Sequence, residues 1–373
     1  MTILQLVNVR WWNASASYAV LAARALAGRG HRSLLAADAG SPAAVHATAA
    51  GLEVRELPHL DRVAGRTNVD GVRALAAILR REKPDVVIAH RPESHAWAVA
   101  ARFLANSRVA VVAARTDARI PRRGLLQRWL AARTEATLYP ATYARERDLA
   151  RLGLDPARTW VAPCPADTRH FAPGDRAAAR VLLGVPLDAR LVVMVARFAH
   201  VKGQVDVVDA FARLAVVDDH ARLLLAGVED DIRRHDLAQQ AHALGVRDRV
   251  QLLDVQADAR VLFAAADCGI IGSRGSEAIC RVAAEWMASG RVIIGTRMHA
   301  VAEAIDDGVT GWLVEPGDVV GLADTMRLAF ALDPADRAAM EVAARARAEG
   351  RFSLEAFGAT LDACCQHARR GSL

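Results

Sequence analysis

Short apolar runs recur along the chain, each followed by a loop and then by a stretch whose apolar positions have helical spacing. In the first half, 2–9, 33–37, 52–57, 85–90, 109–114, 137–140 and 159–162 read as strands. An alanine-rich helix ending at Gly28/Gly30 and helices at 69–81, 94–104 and 142–152 lie between them. The second half repeats the pattern, with strands at 191–195, 223–227, 250–253, 268–271, 292–294 and 311–314. Its helices are expected at 175–183, 232–244, a short one ending at 266, 318–349 and, last, 354–367. Continuously apolar strands alternating with helices predict parallel sheets covered on both faces, a doubly wound α/β architecture. Pro163-Cys164-Pro165 and Phe171-Ala172-Pro173-Gly174 stop any regular element, which divides the chain into 1–164 and a second domain from 165. A chain of 373 residues, 53% hydrophobic, is long enough for two cores.

The stretch 273–296, SRGSEAICRVAAEWMASGRVIIGT, follows the strand at 268–271 and takes in the next one, 292–294. Its apolar positions Ile279, Val282, Ala283 and Met287 predict a helix starting near Ser276 and stopping at Gly290. Glu277 would then stand in the first turn and Glu285 eight residues on, ~12 Å along the axis and roughly 80° around it. The free N–H groups of a helix start seat a phosphate. Carboxylates on either side of such an anion suit a sugar on one side and a ribose on the other, although acids at this spacing also occur as ordinary dipole compensation.

A second motif shifts that balance. Strand 191–195 runs into Ala196-Arg197-Phe198-Ala199-His200-Val201-Lys202-Gly203 just before a helix. Arginine and lysine at the tip of a strand-to-helix loop are phosphate ligands, one a fork and one a point charge. Lys83 and Lys202 are the only lysines among 48 basic residues, so a lysine held at this place stands out from an arginine background.

Charge is distributed unevenly. The net of +6 resolves into an excess of 11 positive charges over 1–164 and 5 negative over 165–373. A basic first half suits an anionic partner. Segment 115–133, RTDARIPRRGLLQRWLAAR, holds six arginines and one acid beside Leu125, Leu126, Trp129 and Leu130. It reads either as an interfacial helix on anionic lipid or as a helix packed on the sheet with a solvated arginine face. No motif of nucleic-acid recognition accompanies the charge. No stretch reaches the ~20 apolar residues of a membrane span, and MTILQLVNVR reads as a strand rather than a signal peptide. Five cysteines without C-x-x-C spacing fit a reducing cytoplasm, without disulfides or structural zinc.

In the first half, ligand contacts are expected at the carboxyl ends of strands. Those positions hold Arg10, Trp11, Trp12 and Asn13, then His90, then Arg115-Thr116-Asp117. The tryptophans suit stacking on a sugar ring or closing the core. No G-x-G-x-x-G follows the first strand, so a dinucleotide site is not expected.

Taken together, R-x4-K-G (Arg197, Lys202, Gly203), S-x3-E continuing into E-x7-E (Ser273, Glu277, Glu285), Glu303 in AVAEAIDDGVTGWLVEPGD and the segment 167–173 resemble the GT-B-fold retaining glycosyltransferases of family 4, the group 1 glycosyltransferases. The resemblance covers the second half of the chain. It implies GT-B architecture: two Rossmann-like doubly wound domains facing a cleft, an acceptor-side domain over 1–164 joined by the C-terminal helix 354–373, and a nucleotide-sugar donor domain over 165–353. It implies sugar transfer from a nucleotide diphosphate donor to a glycan or lipid-linked acceptor, as in lipopolysaccharide or other cell-surface polysaccharide synthesis. Arg197 and Lys202 would neutralise the diphosphate, Glu277 would hold the hexose and Glu285 the ribose. Ser273, Ile279, Cys280 and Arg281 would complete the donor site, and Asn13 and Asp117 would stand at the reaction centre. Arg10, Trp11, Asn13, His90, Arg115 and Asp117 would bind the acceptor.

The chain departs from the family pattern where Ala278-Ile279-Cys280 replaces Gly-Phe-Gly and where Trp11-Trp12-Asn13-Ala14-Ser15 replaces a glycine-rich loop. No cofactor is expected and, without a D-x-D triplet, no obligatory metal. A nucleotide-sugar epimerase on the same fold and a non-catalytic GT-B scaffold or sensor are the alternatives. The expected location is the cytoplasm, with peripheral attachment at the inner face of the membrane.

Overall fold

The computed structural model describes residues 1–58, 66–121, 123–254, 258–275 and 277–371. The chain forms two units, one of 1–165 with 354–373 and one of 166–353.

In the first unit, strands β1 (Thr2–Val7), β2 (Arg32–Asp38), β3 (Glu53–Leu57), β4 (Val86–Ala89), β5 (Ala110–Ala114), β6 (Ala136–Tyr139) and β7 (Thr159–Val161) form one parallel sheet in the order 3-2-1-4-5-6-7. Helices α1 (Ala14–Gly28), α2 (Pro42–Ala49), α3 (Arg66–Glu82), α4 (Pro92–Leu104), α5 (Leu125–Ala131) and α6 (Thr142–Leu152) make the crossovers. The strand pleat feeds both faces: Leu34 and Ala36 of β2 enter one core, Leu35 and Ala37 the other.

The second unit has α7 (Arg176–Leu183), β8 (Arg190–Val195), α8 (Gln204–Ala215), β9 (Ala221–Ala226), α9 (Arg234–Ala243), β10 (Val250–Leu253), α10 (Arg260–Ala265) and β11 (Cys268–Ile271). Then come α11 (Arg281–Ala288), β12 (Ile293–Thr296), α12 (His299–Ala304), β13 (Trp312–Val314), α13 (Val319–Ala331) and α14 (Pro334–Arg351). Its parallel sheet has the order 10-9-8-11-12-13. Leu191 and Val193 of β8 face one core, Val192 and Met194 the other.

The last helix, α15 (Leu354–Gly371), belongs to the first unit. Asp362 on it pairs with His31 at 3.0 Å and Arg29 at 3.2 Å, and Phe357 meets the edge of the Tyr18 ring at 5.0 Å.

Two elements differ from expectation. Helix α11 begins at Arg281, not near Ser276, which itself lies outside the described residues. The basic segment 115–133 folds into only seven helical residues, because Pro121 and Gly124 fall just before Leu125. The helices expected over 318–349 are α13 and α14, divided where the Asp333 side chain caps α14 and Pro334 opens it. Among the described residues no helix is long and apolar enough to cross a membrane.

Trp286 of α11 is wholly buried, and its ring lies flat against β11 at Gly269. A Cβ at Gly269 would come within 2.5 Å of that ring. Gly269→Ala should therefore destabilise the protein by about 1–3 kcal/mol through overpacking, read as a lower denaturation midpoint in urea. An unchanged midpoint would show that Trp286 can shift freely.

Candidate functional site

In each sheet the strand order reverses once, between β1 and β4 and between β8 and β11. At such a reversal the loops leaving adjacent strands diverge to opposite faces, which opens a crevice at their carboxyl ends. In the second unit the two loops at the reversal are 196–203 and 272–280, the two motifs singled out in the sequence.

The first loop is held from inside by Gln204, which is wholly buried. Its Nε2 donates to the Arg197 carbonyl at 2.7 Å and its Oε1 accepts from the Ala199 N–H at 3.3 Å. A single 3-10 turn, His200–Lys202, ends at Gly203, whose φ of +77° is in the left-handed region. A Cβ on Gly203 would run into the Gly272 carbonyl oxygen, so the two loops meet backbone to backbone.

The second loop is fixed at four points. The Arg274 N–H donates to the Val201 carbonyl at 2.8 Å, and the Arg274 guanidinium forks onto Asp206 in the first turn of α8. Thr296 Oγ1 donates to the Ser273 carbonyl at 2.6 Å, and the Ala300 N–H to the Glu277 carbonyl at 3.2 Å. These contacts hold Glu277 in a non-helical loop that continues to Cys280, against its local helical pattern. Glu277 and Glu285 therefore do not share one helix, and the expected 12 Å and 80° relation is replaced by a loop carboxylate and a helix carboxylate. None of these tethers has a local signal, since each joins residues far apart in the chain.

The side chains gather around Glu277, which is 3% exposed. Its Oε1 takes both the Lys202 ammonium and the Ser273 hydroxyl. Arg197, half exposed, pairs with Asp230. Buried Glu285 receives Arg281 Nε at 2.8 Å. Burial pushes its carboxyl up, against the nearby charge of Arg281. Ile279 is buried and Cys280 half-buried between them. A cation, a carboxylate and a hydroxyl gathered at the strand reversal can bind an anion and a polyol together. Among the described residues no group of three or more His, Cys, Asp or Glu is placed to hold a metal ion.

In the first unit, Asn13 caps α1, its Oδ1 accepting from the Ala16 N–H at 2.9 Å. Trp12 stacks on His46 at 3.9 Å, while Trp11 is 64% exposed and Arg10 is exposed beside it. Asp117 pairs with Arg119 at 2.7 Å.

One expectation is corrected here. His90 is wholly buried, bonded to Gln5 at 2.7 Å, and burial lowers its pKa to about 3, so its ring is an interior neutral group rather than an acceptor contact. Arg115, half-buried, has an interior partner as well, its Nε 3.2 Å from the wholly buried Asp148. Small polar side chains tie the loops after β1, β4 and β5 to one another. Ser94 donates to Asn8, Thr116 Oγ1 donates to the His90 carbonyl at 2.6 Å, and Ser15 donates to the Thr116 carbonyl at 3.2 Å.

Residues 189–331 match the family model described as Glycosyl transferases group 1, and residues 15–170 match Glycosyltransferase Family 4. The D-inositol 3-phosphate glycosyltransferase of Mycobacterium tuberculosis is 35% identical over 208 residues, 54% of this chain and 42% of that relative. The chain thus spans less than half the length of the curated relatives it matches. Two solved structures share the whole fold. A glycosyltransferase from Rickettsia africae superposes with a TM-score of 0.87 at 17% identity, covering 98% of each chain. Anabaena Alr3699/HepE in complex with UDP superposes with a TM-score of 0.83 at 21% identity, covering 97% of this chain and 99% of that one.

The loop contact generates a paired test. Gly245 has a φ of +73° but open space around its Cβ position, so Gly245→Ala should cost only about 1 kcal/mol of strain. Gly203→Ala adds the collision with Gly272 and should cost about 3 kcal/mol or part the two loops. Equal denaturation midpoints for the two variants would remove the close contact from the account.

Proposed function

Because the chain belongs to the group 1, family 4 glycosyltransferases with the GT-B fold, we propose that it transfers a hexose from a nucleoside-diphosphate donor to a glycan or lipid-linked acceptor, with retained configuration. The observation that carries this reading is the cluster of Lys202, Ser273 and Glu277 at the strand reversal of the second sheet. The UDP in the Anabaena complex makes uridine diphosphate the first nucleotide to test.

In this reading the bond from the anomeric carbon to the diphosphate oxygen breaks, and its electron pair stays with the diphosphate. Lys202, Arg197 and the amides at the start of α11 stabilise that charge. The acceptor hydroxyl adds to the anomeric carbon, and its proton passes to the departing phosphate oxygen. Glu277 holds the sugar hydroxyls and Glu285 the ribose. On the acceptor side Trp11 offers an open stacking face, with Arg10, Asn13 and Asp117 at neighbouring strand ends.

The reading extends to a peripheral site on the cytoplasmic membrane face, as in assembly of a lipid-anchored glycan such as lipopolysaccharide. Leu125 is 83% exposed, with Leu126 and Trp129 exposed beside it, and Phe103 of α4 stacks on Trp129 at 6.0 Å. Arg133 lies over both rings, and Arg123 and Arg128 are exposed on the same segment. An apolar patch among arginines suits anionic lipid.

Two outcomes are expected. Lys202→Ala should lower turnover by about 10²–10³-fold in an assay of nucleoside diphosphate release, because the leaving charge loses its point cation. Turnover within a few-fold of the parent would defeat the assignment. The full chain should pellet with anionic but not neutral vesicles and detach between about 0.05 and 0.5 M salt, as exposed charges are screened. Unchanged pelleting of Arg123→Glu with Arg128→Glu would leave α5 as a purely packed helix; Arg122, in the same segment, lies outside the described residues.

A further inference from the structure

Helix α11 opens on an arginine, against local helix physics. A cation in the first turn opposes the macrodipole, and a basic residue placed N-terminal to its acidic partner is the weaker order for a pair one turn apart. The first turn of α11 contains no acidic residue to compensate it. What Arg281 does have is Glu285, one turn on, with Nε 2.8 Å from Oε1. The guanidinium is 42% exposed and the carboxylate side chain 10% exposed, so a surface cation reaches over a buried anion.

Burial drives the Glu285 carboxyl towards its neutral form, and Arg281 opposes this through its charge and its hydrogen bond. His170, in the segment before α7, adds a smaller effect of the same sign. The elements packed against α11 carry charges of their own, several of them engaged elsewhere: Arg347 of α14 reaches the carbonyls of Ala304 and Glu303, and Arg337 that of Asp267. Arg345 of α14 is engaged with Glu349 and with the carbonyls of Phe171 and Thr168. Glu341 of α14 pairs with Arg176, α12 carries His299 and Glu303, and Cys268 of β11 is pushed up to about 12 by burial and stays neutral. The charges acting on Glu285 are those of Arg281 and His170.

We propose that Arg281 is a positioning residue for the nucleotide: it holds Glu285 as an oriented anion, ready to accept hydrogen bonds from the ribose diol of a nucleoside diphosphate. This rests on the donor-site reading above. Ribose hydroxyls donate to a carboxylate, so the contribution of Glu285 to affinity is complete above its raised pKa and is lost as pH falls through it. Without Arg281 that loss begins at higher pH.

The test is calorimetric titration of the full chain with UDP from about pH 5.5 to about pH 8.5, comparing each variant with the parent at the same pH so that titration of UDP itself cancels. Arg281→Met should weaken binding about tenfold at the acid end, with the ratio shrinking to about twofold at the alkaline end. Arg281→Lys should restore most of the affinity and the parent profile, and His170→Gln should give a smaller shift in the same direction. Glu285→Ala should weaken binding at every pH and abolish the difference that Arg281→Met makes. A uniform loss in Arg281→Met across the range, or none, overturns the proposal while a weakened Glu285→Ala leaves the ribose assignment standing. Unchanged affinity in Glu285→Ala overturns the ribose assignment itself. If the parent takes no UDP, GDP and ADP replace it, and no binding of any of the three overturns both.

Discussion

The backbone contact between Gly203 and Gly272 is the constraint on which the second unit's site depends. Two loops that leave neighbouring parallel strands towards opposite faces would normally separate. Here they touch, because neither residue carries a Cβ and because Gly203 adopts a left-handed backbone. The contact places Lys202 and Ser273 within reach of the same Glu277 oxygen. Gln204 stiffens one loop from below, and Arg274 locks the other onto the start of α8. Each tether satisfies a backbone or side-chain polar group that would otherwise be buried without a partner.

Much of the fold is legible because parallel strands buried on both faces have to be apolar at successive positions, and Val86–Ala89, Cys268–Ile271 and Val192–Met194 have no other easy reading. The two loops at the strand reversal were also legible, since Lys202 stands out against arginine and Glu277 and Glu285 both fall in one strand-to-strand connection. What stayed hidden is what depends on distant partners. Arg274 meets Asp206 across 68 residues, and neither position hints at the other. The helical pattern around Glu277 lost to hydrogen bonds from Thr296 and Ala300, a tertiary override of local propensity. His90 stands at a strand end, where ligands are expected, yet Gln5 claims it for the interior.

The charges of the site are already matched in pairs: Lys202 with Glu277, Arg197 with Asp230, Arg281 with Glu285, Arg274 with Asp206. Binding here is consequently an exchange. A bare anion that took Lys202 would leave the nearly buried Glu277 without its cation, an unfavourable state in a poorly solvated place. A ligand carrying an anion for the lysine and hydroxyls for the carboxylate replaces both halves of the pair at once. On the proposed donor-site reading, such a pair would disfavour simple phosphate without any steric gate.

The path of the chain through its two units has a consequence for synthesis. The first unit needs α15: Asp362 anchors Arg29 and His31, and Phe357 packs on Tyr18. Those partners are made more than three hundred residues before the helix that completes them. The second unit, 166–353, is uninterrupted in the chain and is therefore translated whole before α15. The order of completion is therefore reversed with respect to the order of translation, and the nascent first sheet waits with one helix-sized apolar face uncovered. A chaperone that shields apolar surface would act on that face, early and on the half of the chain that was made first.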